Sequence, residues 1–106
     1  MNDNSPPLFV PLRAEYFRAF VDGEKTVEWR KFGNRFNERT LWKGRAITLS
    51  NGYSGARLYG RIVALEYQPA INVARAVDLR TLGYKPTDML VGIHVKLISR
   101  RPQPPS

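Results

Sequence analysis

The stretch Gly23-Glu24-Lys25-Thr26-Val27-Glu28-Trp29-Arg30 leaves the chain little choice of local structure. Gly23 can adopt the positive φ that ends a helix. The β-branched and aromatic residues that follow, Thr-Val-Glu-Trp-Arg, read as a strand. A helix must therefore stop and a strand start within eight residues. Alternation puts Thr26, Glu28 and Arg30 on one face of that strand, with Lys25, Val27 and Trp29 on the other. A carboxylate and a guanidinium two residues apart on one face either pair with each other or line a site.

The rest of the chain is placed around this junction. Leu8-Phe9-Val10-Pro11-Leu12 is a short apolar run whose proline suits an edge or first strand. A helix over about 14–22 carries Ala14, Phe17, Phe20 and Val21 on one apolar stripe, fit to plug one side of a sheet. Residues 33–40 follow neither period and read as a polar loop free to move. Ala46–Ser50 reads as a strand, and the turn cluster Asn51-Gly52-Tyr53-Ser54-Gly55 joins it to a long strand over about 57–67. In the long strand Leu58, Gly60, Ile62 and Ala64 face one way and Tyr59, Arg61, Val63 and Leu65 the other, with Gly60 marking a bulge or bend. Ile71–Arg80 reads as a second helix closed by Gly83, and Leu90–Ile98 as a last strand. This order predicts an α+β domain, a mixed or mainly antiparallel sheet of five to six strands curled into a small barrel with two flanking helices. Closure would remove exposed strand edges.

A chain of 106 residues holds one core, placed here at 8–100 between a polar lead (1–7) and a Pro-rich tail (101–106), both expected to be disordered. The absence of cysteine excludes disulfides, thiol catalysis and cysteine-ligated zinc, and a single histidine, His94, excludes a multi-histidine metal site within one chain. His94 reads as a satisfied barrel histidine, and neither a metal nor a cofactor is expected. The polar start carries no signal peptide or membrane span, so the default is a soluble cytoplasmic protein, monomeric or a small oligomer.

The net charge of +8 favours a polyanionic partner. Between positions 25 and 61 nine basic residues stand against two acids, interleaved with Trp29, Phe36, Trp42, Tyr53 and Tyr59. Such interleaving suits single-stranded RNA, whose bases stack on aromatics for about 1–3 kcal/mol each. The nucleic-acid contacts read from it are Lys25, Arg30, Lys31, Arg35, Arg39, Lys43, Arg45 and Arg57. The plainer reading is a solvated basic face with the aromatics inside. Trp29 and Trp42 are then the core members and Tyr53 the exposed one.

The pattern Gly23-x-Lys25-Thr26-Val27-Glu28-x-Arg30 after an amphipathic helix, with Lys43-Gly44 opening a later strand, resembles the ASCH domain family of PUA-like β-barrels. The resemblance runs from about Val10 to Tyr67. It implies a cleft beside the first helix holding Lys25, Glu28 and Arg30, and a role in RNA binding or RNA-linked metabolism. Some ASCH relatives cleave RNA; others hydrolyse the acyl amide of a modified cytidine with a lysine and a threonine three positions on. Glu28 stands at that threonine position here. The leading expectation is therefore an RNA- or nucleotide-binding basic cleft, walled by the 33–40 loop and the Tyr53 turn. A metal-independent ribonuclease would use Lys25 and Arg30 on phosphate, Glu28 for proton transfer and Tyr53 for positioning. An amidohydrolase on a modified nucleoside and a protein-interaction module are the alternatives.

Overall fold

The computed structural model describes residues 5–105, and of Ala76 and Val77 the backbone alone. The lead read over 1–7 falls mostly outside the described residues. In chain order the elements are β1 (Leu8–Leu12), α1 (Ala14–Val21), β2 (Val27–Lys31), β3 (Ala46–Asn51), β4 (Arg57–Pro69), a 3-10 turn (Ala70–Asn72), α2 (Ala76–Leu82) and β5 (Met89–Leu97). They form one five-stranded sheet in the order β1-β3-β4-β5-β2. β1 runs parallel to β3, and every other pair is antiparallel. This is the mixed α+β sheet with two helices that was expected, but it curls into a half-barrel rather than a closed barrel: among the described residues no ladder joins its two edges.

Those edges are β1 and β2, which are neighbours in sequence and opposite ends of the sheet. α1 connects them. Its Phe17 and Phe20 are buried with Val10, Ile47, Leu49, Leu58 and Ile93 in the main core, so the helix plugs the open side of the curl. Burying side chains of this size stabilises by about 1.5–3 kcal/mol each. The helix ends at Val21 with Asp22 as its C-cap, and Gly23 follows at φ 78° as its spacing predicts.

Two expectations for β4 change. The register slips between Ile62 and Ala64, so the bulge lies at Val63 rather than at Gly60. Beyond it the faces exchange, and Leu65 packs against the core while Ala64 is exposed. Gly60 instead permits close approach to β5, since a Cβ there would sit 2.5 Å from the Lys96 carbonyl oxygen. The second helix is also shorter than Ile71–Arg80. Arg75 is extended (φ −68°, ψ 153°) and separates the 3-10 turn from α2, which begins with Asp78 in its first turn, paired to Arg75 at 3.1 Å. An acid there suits the helix N-terminus. Gly83, at φ 83°, closes α2 as expected.

The polar loop after β2 is held rather than free. Phe36 and Leu41 are buried in the main core. Asn37 Nδ2 donates to the Gly33 carbonyl at 2.7 Å, its Oδ1 accepts from the Arg39 amide at 2.8 Å, and Thr40 Oγ1 donates to the Arg35 carbonyl at 2.7 Å. In the Pro-rich tail, Gln103 exchanges two backbone hydrogen bonds of 2.8 Å with Arg57 on β4, so this segment carries order that its composition did not suggest.

The close approach at Gly60 is testable by urea unfolding. Gly60→Ala is expected to lower stability by about 1–3 kcal/mol through overpacking. Gly33→Ala, where an added Cβ meets nothing within 4 Å, should stay within about 0.5 kcal/mol of the parent. Equal stability of both variants would show that β4 and β5 do not touch at that point.

Candidate functional site

Glu28 is buried on β2, with 6 % of its surface exposed. Its Oε2 accepts a hydrogen bond from Arg30 Nε at 2.8 Å, and its Oε1 lies 3.5 Å from Lys25 Nζ. Burial of a carboxylate is tolerable only with such partners. Arg30 carries the connection onward. Its Nη2 donates to the Pro11 carbonyl oxygen on β1 at 2.7 Å, and its guanidinium stands 5.4 Å from the centre of the Phe36 ring. The ion-paired guanidinium of Arg30 therefore spans the gap between the two sheet edges through its hydrogen bond to the Pro11 carbonyl.

Lys25 was expected on the opposite face from Glu28, and this is corrected. The strand begins only at Val27, so alternation does not reach back to Lys25. The Lys25 amide donates to the Ala19 carbonyl at 3.1 Å, which wraps the chain around the end of α1. Its ammonium ends 5.3 Å from the Tyr16 ring centre and 5.8 Å from that of Phe20, facing Glu28.

These three side chains lie at the floor of a cavity of about 370 Å³. Pro11, Leu12, Arg13 and Tyr16 form one wall from β1 and α1. Val73, Ala74, Leu79, Leu82 and Tyr84 form the other, from the segment around α2, with Trp29 and Leu90 between. The site thus opens at the sheet gap, with β2 as its floor. The Trp29 ring packs against β5 at Gly92, where an added Cβ would come within 2.8 Å of it. Trp29 is half-buried and packs with Val73, Ala74 and Tyr84 on a second small core of Ala70, Leu79 and Leu90. It is both core member and cavity lining.

The walls differ from those expected. Neither the 33–40 loop nor Tyr53 lines this cavity. Tyr53 sits on the β3–β4 turn, 75 % exposed, with its ring centre 6.5 Å from that of Phe9. Tyr16 and Tyr84 were the missed residues. The signal for Tyr84 was its place directly after the glycine that closes α2; for Tyr16 it was its place one residue off the apolar stripe of α1.

The basic residues between 25 and 61 separate into two kinds. Arg45 stacks 4.8 Å from Trp42 and donates to the carbonyls of Thr40 and Pro6, with its Nε buried and unpartnered; burial lowers its pKa. Arg57 donates to Ser50 Oγ and to the Gly55 and Tyr53 carbonyls, over the Phe9 ring. Their guanidiniums are engaged by the chain itself. Arg39 and Lys43 are exposed, Lys31 lies 3.7 Å from Asp88, and Arg35 stands 5.6 Å from the Phe36 ring. His94 Nε2 meets Glu66 Oε1 at 2.7 Å, a satisfied position outside the cavity. Among the described residues no group of three or more His, Asp or Glu side chains is placed to hold a metal ion, and no helix is long and apolar enough to cross a membrane.

Chemically, the floor offers two cations around one fixed carboxylate, and the walls offer flat and aliphatic surface. This combination receives a planar group bearing a polar edge, with an anion beside it. Both carboxylate oxygens of Glu28 already face cations, so its geometry favours accepting a further hydrogen bond over moving a proton.

No family model matches the chain, and none of the curated proteins does. Solved structures do. A Tyr→Phe variant of the protein ZmASCH from Zymomonas mobilis superposes with a TM-score of 0.64 at 17 % identity, covering 92 % of this chain and 73 % of that one. A Ser→Ala variant of ZmASCH gives 0.62 at 16 %, over 92 % and 71 %. The structure described as ASCH from Zymomonas mobilis gives 0.61 at 15 %, over 89 % and 68 %. Identity this low speaks for the fold alone, and together with the half-barrel described above it shows that the chain has an ASCH-like fold.

Proposed function

We propose that the protein binds single-stranded RNA or a nucleotide in the cavity at the sheet gap. The observation that carries this reading is the convergence of Lys25, Glu28 and Arg30 beneath Tyr16, Trp29 and Tyr84 in one cavity of about 370 Å³. A base stacks on the aromatic walls, and the Glu28 carboxylate accepts a hydrogen bond from an exocyclic amine or a ribose hydroxyl. Lys25 supplies positive charge to the phosphate, while Arg30 holds Glu28 in place. The ASCH-like fold is in keeping with this reading. The exposed Arg39 and Lys43 extend the positive field around the domain and assist encounter with the strand.

Binding is preferred to ribonuclease action because the side chain assigned to proton transfer is doubly ion-paired. It is preferred to amide hydrolysis because Glu28 replaces the threonine that such a mechanism would use.

Fluorescence titration with short single-stranded RNA tests this. Affinity is expected to fall with salt, with a log–log slope of about −0.7 per phosphate contacted. Tyr84→Ala should weaken binding by about tenfold, corresponding to the loss of one stacked base. Lys25→Ala should weaken binding and flatten the salt slope. The strand should remain intact after incubation in chelator. Fragments that disappear in Glu28→Gln would establish a ribonuclease instead, and release of acid from an acylated nucleoside an amidohydrolase. Binding that ignores both cavity substitutions would overturn the reading.

A further inference from the structure

A second groove, of about 330 Å³, adjoins the first on the far side of Lys25 and is lined by Phe20, Gly23, Thr26, Lys96 and Arg100 among others. Lys25 lines both. Its ammonium lies between the rings of Tyr16, which faces the main cavity, and Phe20, which faces the groove. The groove holds three cationic side chains, Lys25, Lys96 and Arg100, and no acidic one. Among the described residues neither Lys96 nor Arg100 has a carboxylate partner, unlike Lys31 and Arg75. Arg100 is also seated. Its guanidinium lies directly on Gly23, in space that any Cβ at position 23 would occupy. The positive-φ residue that ends α1 thus also makes room for a guanidinium beside the groove.

We propose that this groove is a phosphate subsite continuous with the main cavity, so that the ligand is a phosphate ester of a nucleoside whose phosphate passes Lys25 toward Lys96 and Arg100. The inference rests on the reading of the main cavity as a nucleotide site and adds where the phosphate goes. It also gives the three cations different neighbours. Lys25 is partly balanced by Glu28, whereas among the described residues Lys96 and Arg100 have no carboxylate partner, and Thr26 in the same lining adds a neutral hydroxyl. Arginine presents a planar fork that matches a phosphate, and lysine a point charge, so the pair suits a phosphodiester turning past the end of α1.

The test compares four nucleosides, their 5′- and 3′-monophosphates and a single-stranded hexanucleotide by calorimetric titration. The proteins are the parent, Lys25→Ala, Lys96→Ala/Arg100→Ala and the charge-keeping Lys96→Arg/Arg100→Lys. Lys96 and Arg100 are both exposed, so each paired variant is expected to fold. The proposal predicts that one monophosphate binds at least tenfold more tightly than its nucleoside. The alanine pair should erase that preference without changing nucleoside affinity, and the charge-keeping pair should retain most of it. A hexanucleotide that binds more tightly than the monophosphate and weakens alike in the alanine pair identifies a strand as the source of the phosphate. A hexanucleotide no tighter than the monophosphate identifies a free nucleotide. Equal affinity for nucleoside and monophosphate, or a preference lost in Lys25→Ala but kept in the alanine pair, overturns the subsite while leaving the main cavity a nucleoside site. Failure of every ligand to bind the parent overturns both.

Discussion

The buried Glu28 carboxylate and its hold on Arg30 fasten the two ends of the sheet. Among the described residues β1 and β2 share no ladder, yet Arg30 reaches from Glu28 on one edge to the Pro11 carbonyl on the other. Removing one partner of a buried pair leaves an uncompensated charge, which costs about 3–5 kcal/mol where burial is complete. The same pair is the floor of the cavity, so the contact that draws the edges together also fixes the charges a ligand would meet. Stability and site geometry are coupled through one guanidinium.

The remainder of the fold serves that gap. The bulge at Val63 exchanges the faces of β4 and increases its twist, and Gly60 lets β5 approach closely, so the sheet curls instead of lying flat. α1 fills the inside of the curl with Phe17 and Phe20, and the α2 segment covers the outside of β2 through Leu79, Val73 and Tyr84. Between these two coverings the edge of β2 stays accessible. A cavity there is a consequence of leaving the half-barrel unclosed.

Much of this was legible in the residues. Gly23 and Gly83 marked both helix ends because positive φ excludes most other residues, and Pro11 marked an edge because it lacks a ladder donor. Glu28 and Arg30 were rightly placed on one face. Lys25 was misplaced because alternation was extended beyond the strand's first residue. The bulge left no trace, since Ile62-Val63-Ala64-Leu65 is apolar throughout and reads the same on either face. The α2 wall was invisible for a different reason: it lies more than forty residues from Glu28 in sequence, and only tertiary packing brings it over Trp29. Composition counted Arg45 and Arg57 as available charge, whereas the fold turns both guanidiniums toward its own carbonyls. Charge counting cannot see partners.

Binding chemistry follows from the same asymmetry between engaged and unengaged cations. Arg30, Arg45 and Arg57 hold the chain, while Lys25 lies at the junction of the two grooves. The central claim is that Glu28 and Arg30 act as one unit closing the sheet gap, and a double-mutant cycle on unfolding free energy tests it most directly. With Glu28→Ala, Arg30→Ala and the double variant measured in urea, the account predicts a coupling energy of about 1–3 kcal/mol, the double variant losing little more than the worse single one. Additivity within about 0.5 kcal/mol would contradict it.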